Sequence, residues 1–282
     1  MTAPTTPAPV RRHLGGNLVS GAVVLALVVL TALISLVWTP YDPIPVSPDE
    51  RLLGPGGLHL LGTDLYGRDV LSLLMAGARI TLLVGVSAVL VATLLGVPVG
   101  IWAGIRRGWV DAVLMRAVDV VLAFPALLLT IVFGAVWGAS ATTAAIALGI
   151  GAAPSFARVS RSGTLQVMAR EYVLAARSAN RGSWWIATRH VLPNISGLVI
   201  VQASVAFAIA VLAEAALSYL GFGTRPPTPS WGRMLQEGQS YLYDHPTLVL
   251  FPGLAIAVTV LGLNLLGDGL RDRFDPRSEA RR

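Results

Sequence analysis

The chain has 282 residues, of which 54% are hydrophobic and 13% charged, with a formal charge of +6 and a mean hydropathy of +0.69. A soluble domain carries about 25% charged residues. Here the apolar residues fall in blocks of about twenty or more, the length that crosses a hydrocarbon layer about 30 Å thick at about 1.5 Å per residue. The composition therefore points to a membrane protein. It excludes nucleic-acid binding, because arginines flanking membrane helices produce the same charge and no basic patch is interleaved with aromatics.

All 21 basic residues are arginine. A Walker A loop needs a lysine to hold the β- and γ-phosphates, so this chain cannot contain one, and any ATP hydrolysis must come from a partner. Cysteine is absent, and His13, His59, His190 and His245 are scattered, so no metal or cofactor is expected. No Ser-His-Asp set or carboxylate pair supports catalysis.

Residues 1–16 read as a Pro/Thr-rich cytoplasmic tail and 17–39 as a first span, too long for a signal peptide and followed by no small-x-small cleavage site. Residues 40–77 read as an external loop that re-enters through a short amphipathic segment around 69–75. Further spans are expected at 78–105, which exceeds a minimal crossing, at 113–137 with Pro125 inside it, and at 139–156, an Ala/Gly-rich block ended by Pro154 and Arg158. A polar stretch, 158–194, precedes a fifth block at 195–220 and a second external loop at 221–246, where Trp231, Tyr241 and Tyr243 suit a membrane interface. The sixth block is 247–266, and 271–282 reads as a tail. With the N-terminus inside, sixteen arginines fall on the cytoplasmic side and five outside, which places both termini in the cytoplasm. The expected class is all-α, a polytopic membrane protein of six transmembrane helices.

The polar stretch is the most informative. Residues 168–179 contain good helix formers and neither Gly nor Pro, and Asn180 stands where a left-handed cap would end the helix. A second short helix over 184–190 is expected to stop before Pro193. Such a hairpin is either an amphipathic element lying on the membrane, with Trp184 and Trp185 at the headgroups, or a docking element for another protein. In the docking reading the small pair Ala175 and Ala176 lets a partner close tightly over the helix, and Glu171 and Arg177 fix its orientation.

Within the fifth block, Glu214 is a charge inside the membrane. It either lines a pathway or makes a helix–helix or intersubunit contact. Asp119 is expected to pair with Arg116 along one helix. The loop 221–246 either contacts an external protein or packs as a lid.

The stretch VMAREYVLAARSANRGSWWIATRHVLPN resembles the EAA loop of ATP-binding cassette importer permeases. Ala175, Ala176, Leu192 and Pro193 match that pattern, whereas Leu174, Asn180 and His190 replace its glutamate, glycine and isoleucine. The segments LGTDLYGRDVLSLLMAGARITL, AEAALSYLGFGTRPPTPSWGRML and FPGLAIAVTVLGLNLLGDGLRDRFDP are similar to the "C" permeases of dipeptide, oligopeptide and nickel importers. The resemblance implies a first transmembrane helix and external loop (17–77) followed by a five-helix, MetI-like importer core (78–270) with its coupling loop at 158–194. It also implies an inner-membrane, multi-pass location amid lipid, a sister permease in a heterodimer, cytoplasmic ATPase subunits and an extracytoplasmic solute-binding protein. ATPase coupling would then involve Glu171, Ala175, Ala176, Arg177, Asn180, Leu192 and Pro193, with Glu214 a candidate for the translocation pathway. Peptides are the expected substrate, with nickel, opines or oligosaccharides as alternatives on the same machinery. The rival reading is a secondary transporter driven by an ion gradient, but such proteins show internal repeats and relays of buried charges, and this sequence shows no evident repeat and few intramembrane charges.

Overall fold

The structure, a computed structural model, describes residues 15–274; the expected tails at 1–16 and 271–282 lie largely outside them. The described residues form ten α-helices and no strand, only an isolated bridge between Thr63 and Asp69. In hydrocarbon every backbone N–H and C=O has to be satisfied within its own segment, which leaves helices as the available solution for apolar blocks of this kind.

Helix α1 (Gly16–Val37) is the first apolar block. Helix α2 (Val70–Arg106) has 37 residues, about 55 Å of helix, and its first turn is the segment expected to re-enter as a separate element. The two are one helix because the Asp69 side chain caps it, accepting hydrogen bonds from the Ser72 N–H and Oγ at 2.7 Å each. Val70 and Leu73 in that first turn are buried. The expected span at 113–137 is broken. Helix α3 (Gly108–Leu122) and helix α4 (Ala126–Trp137) meet at a bend of 78° around Pro125. Proline lacks the N–H a continuing helix would use, and its ring collides with the preceding turn.

Helix α5 (Ala141–Val167) runs past both Pro154 and Arg158, where the sequence suggested an end. The arginines find partners on α3 without leaving the helix. Arg158 donates to Asp119 at 2.7 Å, and Arg161 donates to Asp111 through two bonds of 2.5 and 2.6 Å. Asp119 therefore pairs across helices with Arg158 rather than along α3 with Arg116.

Helices α6 (Glu171–Ser178) and α7 (Ser183–Ile186) follow. Contrary to expectation, the chain does not stop before Pro193. A wide turn at Ala187–Val191, in which Leu192 N–H bonds Ala187 O five residues back, carries it directly into α8 (Leu192–Tyr219). The wide turn loosens the backbone just where Pro193 would strain a regular helix. Helix α9 (Trp231–Gly238) lies within the second expected loop, and α10 (Thr247–Phe274) continues about two turns beyond the expected block.

Helices α2 and α5 form the centre of the bundle. Gly96, Gly100 and Gly104 recur every four residues on α2 and face α5 so closely that an added Cβ would lie 2.6 Å from Phe156 Cβ, 2.8 Å from Ser160 Cβ and 2.7 Å from Thr164 Cβ, respectively. This is the small-residue packing by which membrane helices associate when lipid gives no hydrophobic preference. Helix α1 packs on α10 in the same manner, with Gly21 against Gly262 and Gly269 against Leu18. A buried apolar cluster closes each end of α2. One is built on Ile105, Val167, Val173, Ile186 and Val191, the other on Val70, Leu73, Trp231, Met234 and Leu248.

Four helical stretches, α1, α2, Ser183–Tyr219 and α10, are long and apolar enough to cross a membrane, and the bent pair α3–α4 makes a fifth candidate. Helix α5 is long enough at 27 residues but is richer in Ala, Gly, Ser and Arg.

Gly100→Ala is expected to destabilise the bundle by about 1–3 kcal/mol, because the methyl overpacks the α2–α5 contact. Gly253→Ala, whose Cβ would meet nothing closer than 3.9 Å, is expected to be neutral or to stabilise by up to about 1 kcal/mol. Thermal unfolding of the two variants in detergent checks both.

Candidate functional site

Of the 158–194 stretch, 158–167 continue α5 and 192–194 begin α8, and the residues between them fold as a short helical hairpin (α6 and α7) at one end of the bundle. Val173 is its inward anchor on α6, fully buried with Ile186, Val191, Ile105 and Val167, a contact of about 1.5–3 kcal/mol per large aliphatic group. Glu171, Ala175 and Arg177 are exposed, and Ala176 is half-buried. Leu192 and Pro193, also exposed, begin α8 immediately beyond the wide turn. The structure therefore brings Glu171, Ala175, Ala176, Arg177, Asn180, Leu192 and Pro193 to the same end of the molecule.

Asn180 ends α6 with φ +55°. Its N–H bonds Arg177 O at 2.9 Å, and the Arg181 N–H reaches back to Ala176 O at 3.1 Å. That pair of bonds is a Schellman cap, for which Asn is the next-best residue to Gly. The asparagine thus provides the left-handed turn that the family pattern obtains from glycine.

Aromatic side chains surround the hairpin. His190 lies between Tyr172, with ring centroids 5.5 Å apart, and Trp185, at 4.9 Å and edge-on. Arg181 stacks over Trp185 at 5.2 Å. Trp184 is 75% exposed, and Tyr172, Leu174 and Leu192 are also open. An exposed apolar surface flanked by Glu171 and Arg177 is the composition of a contact with a protein or with the membrane surface.

Glu214 is placed elsewhere, in the last third of α8 and 1% exposed, where its Oε1 accepts a 2.7 Å bond from Ser218 Oγ. Near it, at the end of the bundle away from the hairpin, is a polar network that sequence reading did not single out. Arg68 bonds Asp64 at 2.6 Å and Glu237 at 2.8 Å, and Glu237 also receives Arg233 at 2.7 Å. His59 bonds Asp69 at 3.0 Å. The available signal was the cluster of Asp64, Arg68 and Asp69 around Gly62 and Gly67, both with positive φ, since such turns hold side chains in fixed positions. What the sequence lacked was the remote partner, Glu237.

Residues 96–280 match the family described as binding-protein-dependent transport system inner membrane component. The chain belongs to that family. The permease is 38% identical over 260 residues to the dipeptide transport system permease protein DppC of Alkalihalophilus pseudofirmus, covering 92% of this chain and 86% of the relative. It is 40% identical over 261 residues to the glutathione transport system permease protein GsiD of Pectobacterium atrosepticum, covering 91% and 87%. In fold it resembles a chain of the inward-facing MetNI methionine ABC transporter, with a TM-score of 0.59 over 72% of this chain and 96% of that one at 19% identity. The permease is thus a multi-pass inner-membrane protein whose task is transport rather than catalysis.

Because only Gly or Asn adopts the Asn180 geometry cheaply, Asn180→Val is expected to cost about 1–2 kcal/mol locally. Amide exchange over 171–181 should quicken by about tenfold, while Asn180→Gly should leave it close to the original rate. Hydrogen-exchange mass spectrometry of the permease checks this.

Proposed function

We propose that the permease forms half of the translocation pathway of an ATP-binding cassette peptide importer, with α6 as its coupling helix. The observation that carries the coupling role is the exposed α6 hairpin, seated on the bundle by Val173 and continuous with α8. ATP hydrolysis belongs to separate cytoplasmic subunits; the absence of lysine denies this chain a Walker A loop. Glu171, Ala175, Ala176, Arg177 and Asn180 meet the ATPase, and Leu192 and Pro193 pass its displacement into α8. The nucleotide state of the ATPase then biases the permease between inward- and outward-open arrangements through its different contacts in each.

In this reading residues 17–77 are the first span and its external loop, 78–270 the importer core, and both termini are cytoplasmic. Six crossings result when α5 is counted as a span. Its small, weakly apolar surface is supported in that place by burial against α2 and α4, so it faces protein rather than lipid. Arginine bias supports the orientation.

A sister permease is supported by the α3–α4 break. Backbone irregularity at membrane depth is tolerated only where protein or water covers it, yet Leu122, Phe124, Leu127 and Leu128 around this bend are exposed in the single subunit. A second permease facing that surface covers the apolar side chains and leaves the break beside the aqueous path. Peptide as the cargo is supported by relatives named for dipeptide and glutathione transport, with an extracytoplasmic binding protein delivering it.

In proteoliposomes holding the complete transporter, Ala175→Glu is expected to reduce labelled-dipeptide uptake by at least about tenfold and to weaken ATPase co-purification, as a buried interfacial charge costs several kcal/mol. Unchanged uptake and co-purification would remove the coupling role. The cysteine-free chain also permits Arg177→Cys to be labelled with an impermeant maleimide, with reaction expected from the cytosolic side only.

A further inference from the structure

We propose that Glu214 anchors the outer surface of the permease to a membrane helix, fixing the loop 221–230 and α9 to α8 so that they move as one body. The proposal rests on the orientation given above, which puts α9 on the extracytoplasmic side.

A carboxyl group buried at membrane depth is costly and persists where it has a specific task. Among the described residues Glu214 has no ion pair with an arginine or histidine, so charge pairing does not explain it. Its hydrogen bond to Ser218 leads into the outer segment. Ser218 Oγ donates to Glu214 Oε1 at 2.7 Å and accepts the Thr224 N–H at 3.3 Å, tying down the turn that follows α8. The hydroxyl of Ser230 is also close to this carboxyl group, with no hydrogen bond to Oε2. Ser230 is the residue that caps α9, accepting the Arg233 N–H at 3.3 Å.

The surrounding contacts leave no slack. A Cβ on Gly223 would lie 2.7 Å from Ser218 Cα, and one on Gly232 would lie 2.7 Å from Ala215 Cα. Gly221, with φ +85°, turns the chain out of α8 through a Schellman pair in which Phe222 N–H bonds Leu217 O at 2.8 Å and Gly221 N–H bonds Ser218 O at 3.2 Å. Trp231 then inserts, 4% exposed, and its Nε1 donates to Leu74 O on α2 at 2.9 Å. The Arg68–Glu237 pair holds the far end of α9. Of these ties, the one through Glu214 ends on a buried side chain of α8 itself. It acts as a positioning residue, and the surface it positions faces the binding protein.

The experiment uses the complete transporter in proteoliposomes, reading amide exchange over 221–238 and dipeptide uptake as a function of binding-protein concentration. Glu214→Leu roughly keeps the volume and removes the bond to Ser218 together with the carboxyl beside Ser230. It is expected to speed exchange over 221–238 by at least about tenfold and to raise the half-saturating binding-protein concentration by at least about fivefold, with exchange over α6 unchanged. Glu214→Gln retains an acceptor for Ser218 and adds a donor toward Ser230, so both readings are expected to stay within about twofold of the original. Should Glu214→Leu fail to insert, Ser218→Ala removes the bond to Glu214 together with the link to Thr224 and is expected to loosen 221–226 selectively. Unchanged exchange in Glu214→Leu or Ser218→Ala overturns the anchor. So does loss of uptake in Glu214→Gln with 221–238 still protected, which would mark Glu214 as a charge in the pathway. Failure of the coupling reading appears instead as ATPase binding insensitive to Ala175→Glu, so the two are separable.

Discussion

A bundle in lipid gains little from sequestering apolar side chains, because the tails outside are as apolar as the residues inside. What holds this one together is the closeness with which backbones approach, above all along the ridge of Gly96, Gly100 and Gly104 on α2 against Phe156, Ser160 and Thr164 on α5. Dispersion falls off steeply with separation, so a contact with no Cβ between the helices recovers many small attractions at once. The same approach allows Arg158 and Arg161 to run on as helix within α5, since α3 packs near enough for Asp119 and Asp111 to meet them. Remove the ridge, and the outer elements lose the frame on which their side chains converge.

From that frame the hairpin follows. Ile105 lies in the last turn of α2 and Val167 ends α5, and between them they offer an apolar seat into which Val173, Ile186 and Val191 fit. The seat fixes α6 although that helix has only eight residues, too few to be stable alone. The exposed face of α6 is thereby held in one orientation without a partner being present, which lowers the ordering cost of any docking event.

Much of this was legible beforehand. Apolar block length located α1, α8 and the start of α10 to within a few residues, and the absence of breakers in 168–179 together with Asn180 gave α6 and its cap. Where sequence reading missed, proline and long-range pairing were the causes. Pro125 bends its span by 78°, while Pro154 lies inside an unbroken α5 and Pro193 begins α8 after a wide turn. The difference lies in what surrounds each ring: Pro154 is among Gly151, Ala152 and Ala153 in a closely packed helix, whereas Phe124–Pro125 is exposed with nothing packed over it. A local rule for proline cannot contain that information. The same limit hid the Arg68–Glu237 pair, whose members are 169 positions apart, and it left Glu214 readable as a buried charge without showing that its bond runs outward through Ser218 to Thr224.

Helix α8 is where these features combine. Its 28 residues span about 42 Å, with the α6 hairpin joined to its first turn and the Glu214–Ser218 bond near its last. Helices of this length bend gently rather than fold sharply unless proline or an inserted group interrupts them, and the wide turn at Ala187–Val191 precedes α8 rather than interrupting it. On the proposed reading, a displacement delivered to α6 therefore cannot dissipate within α8. It emerges at the opposite end, where Glu214 and Trp231 hold α9 against α8 and α2. The surface that receives cargo and the surface that meets the ATPase would then be two ends of one stiff element, and their coupling would need no chain of intermediate side-chain rearrangements.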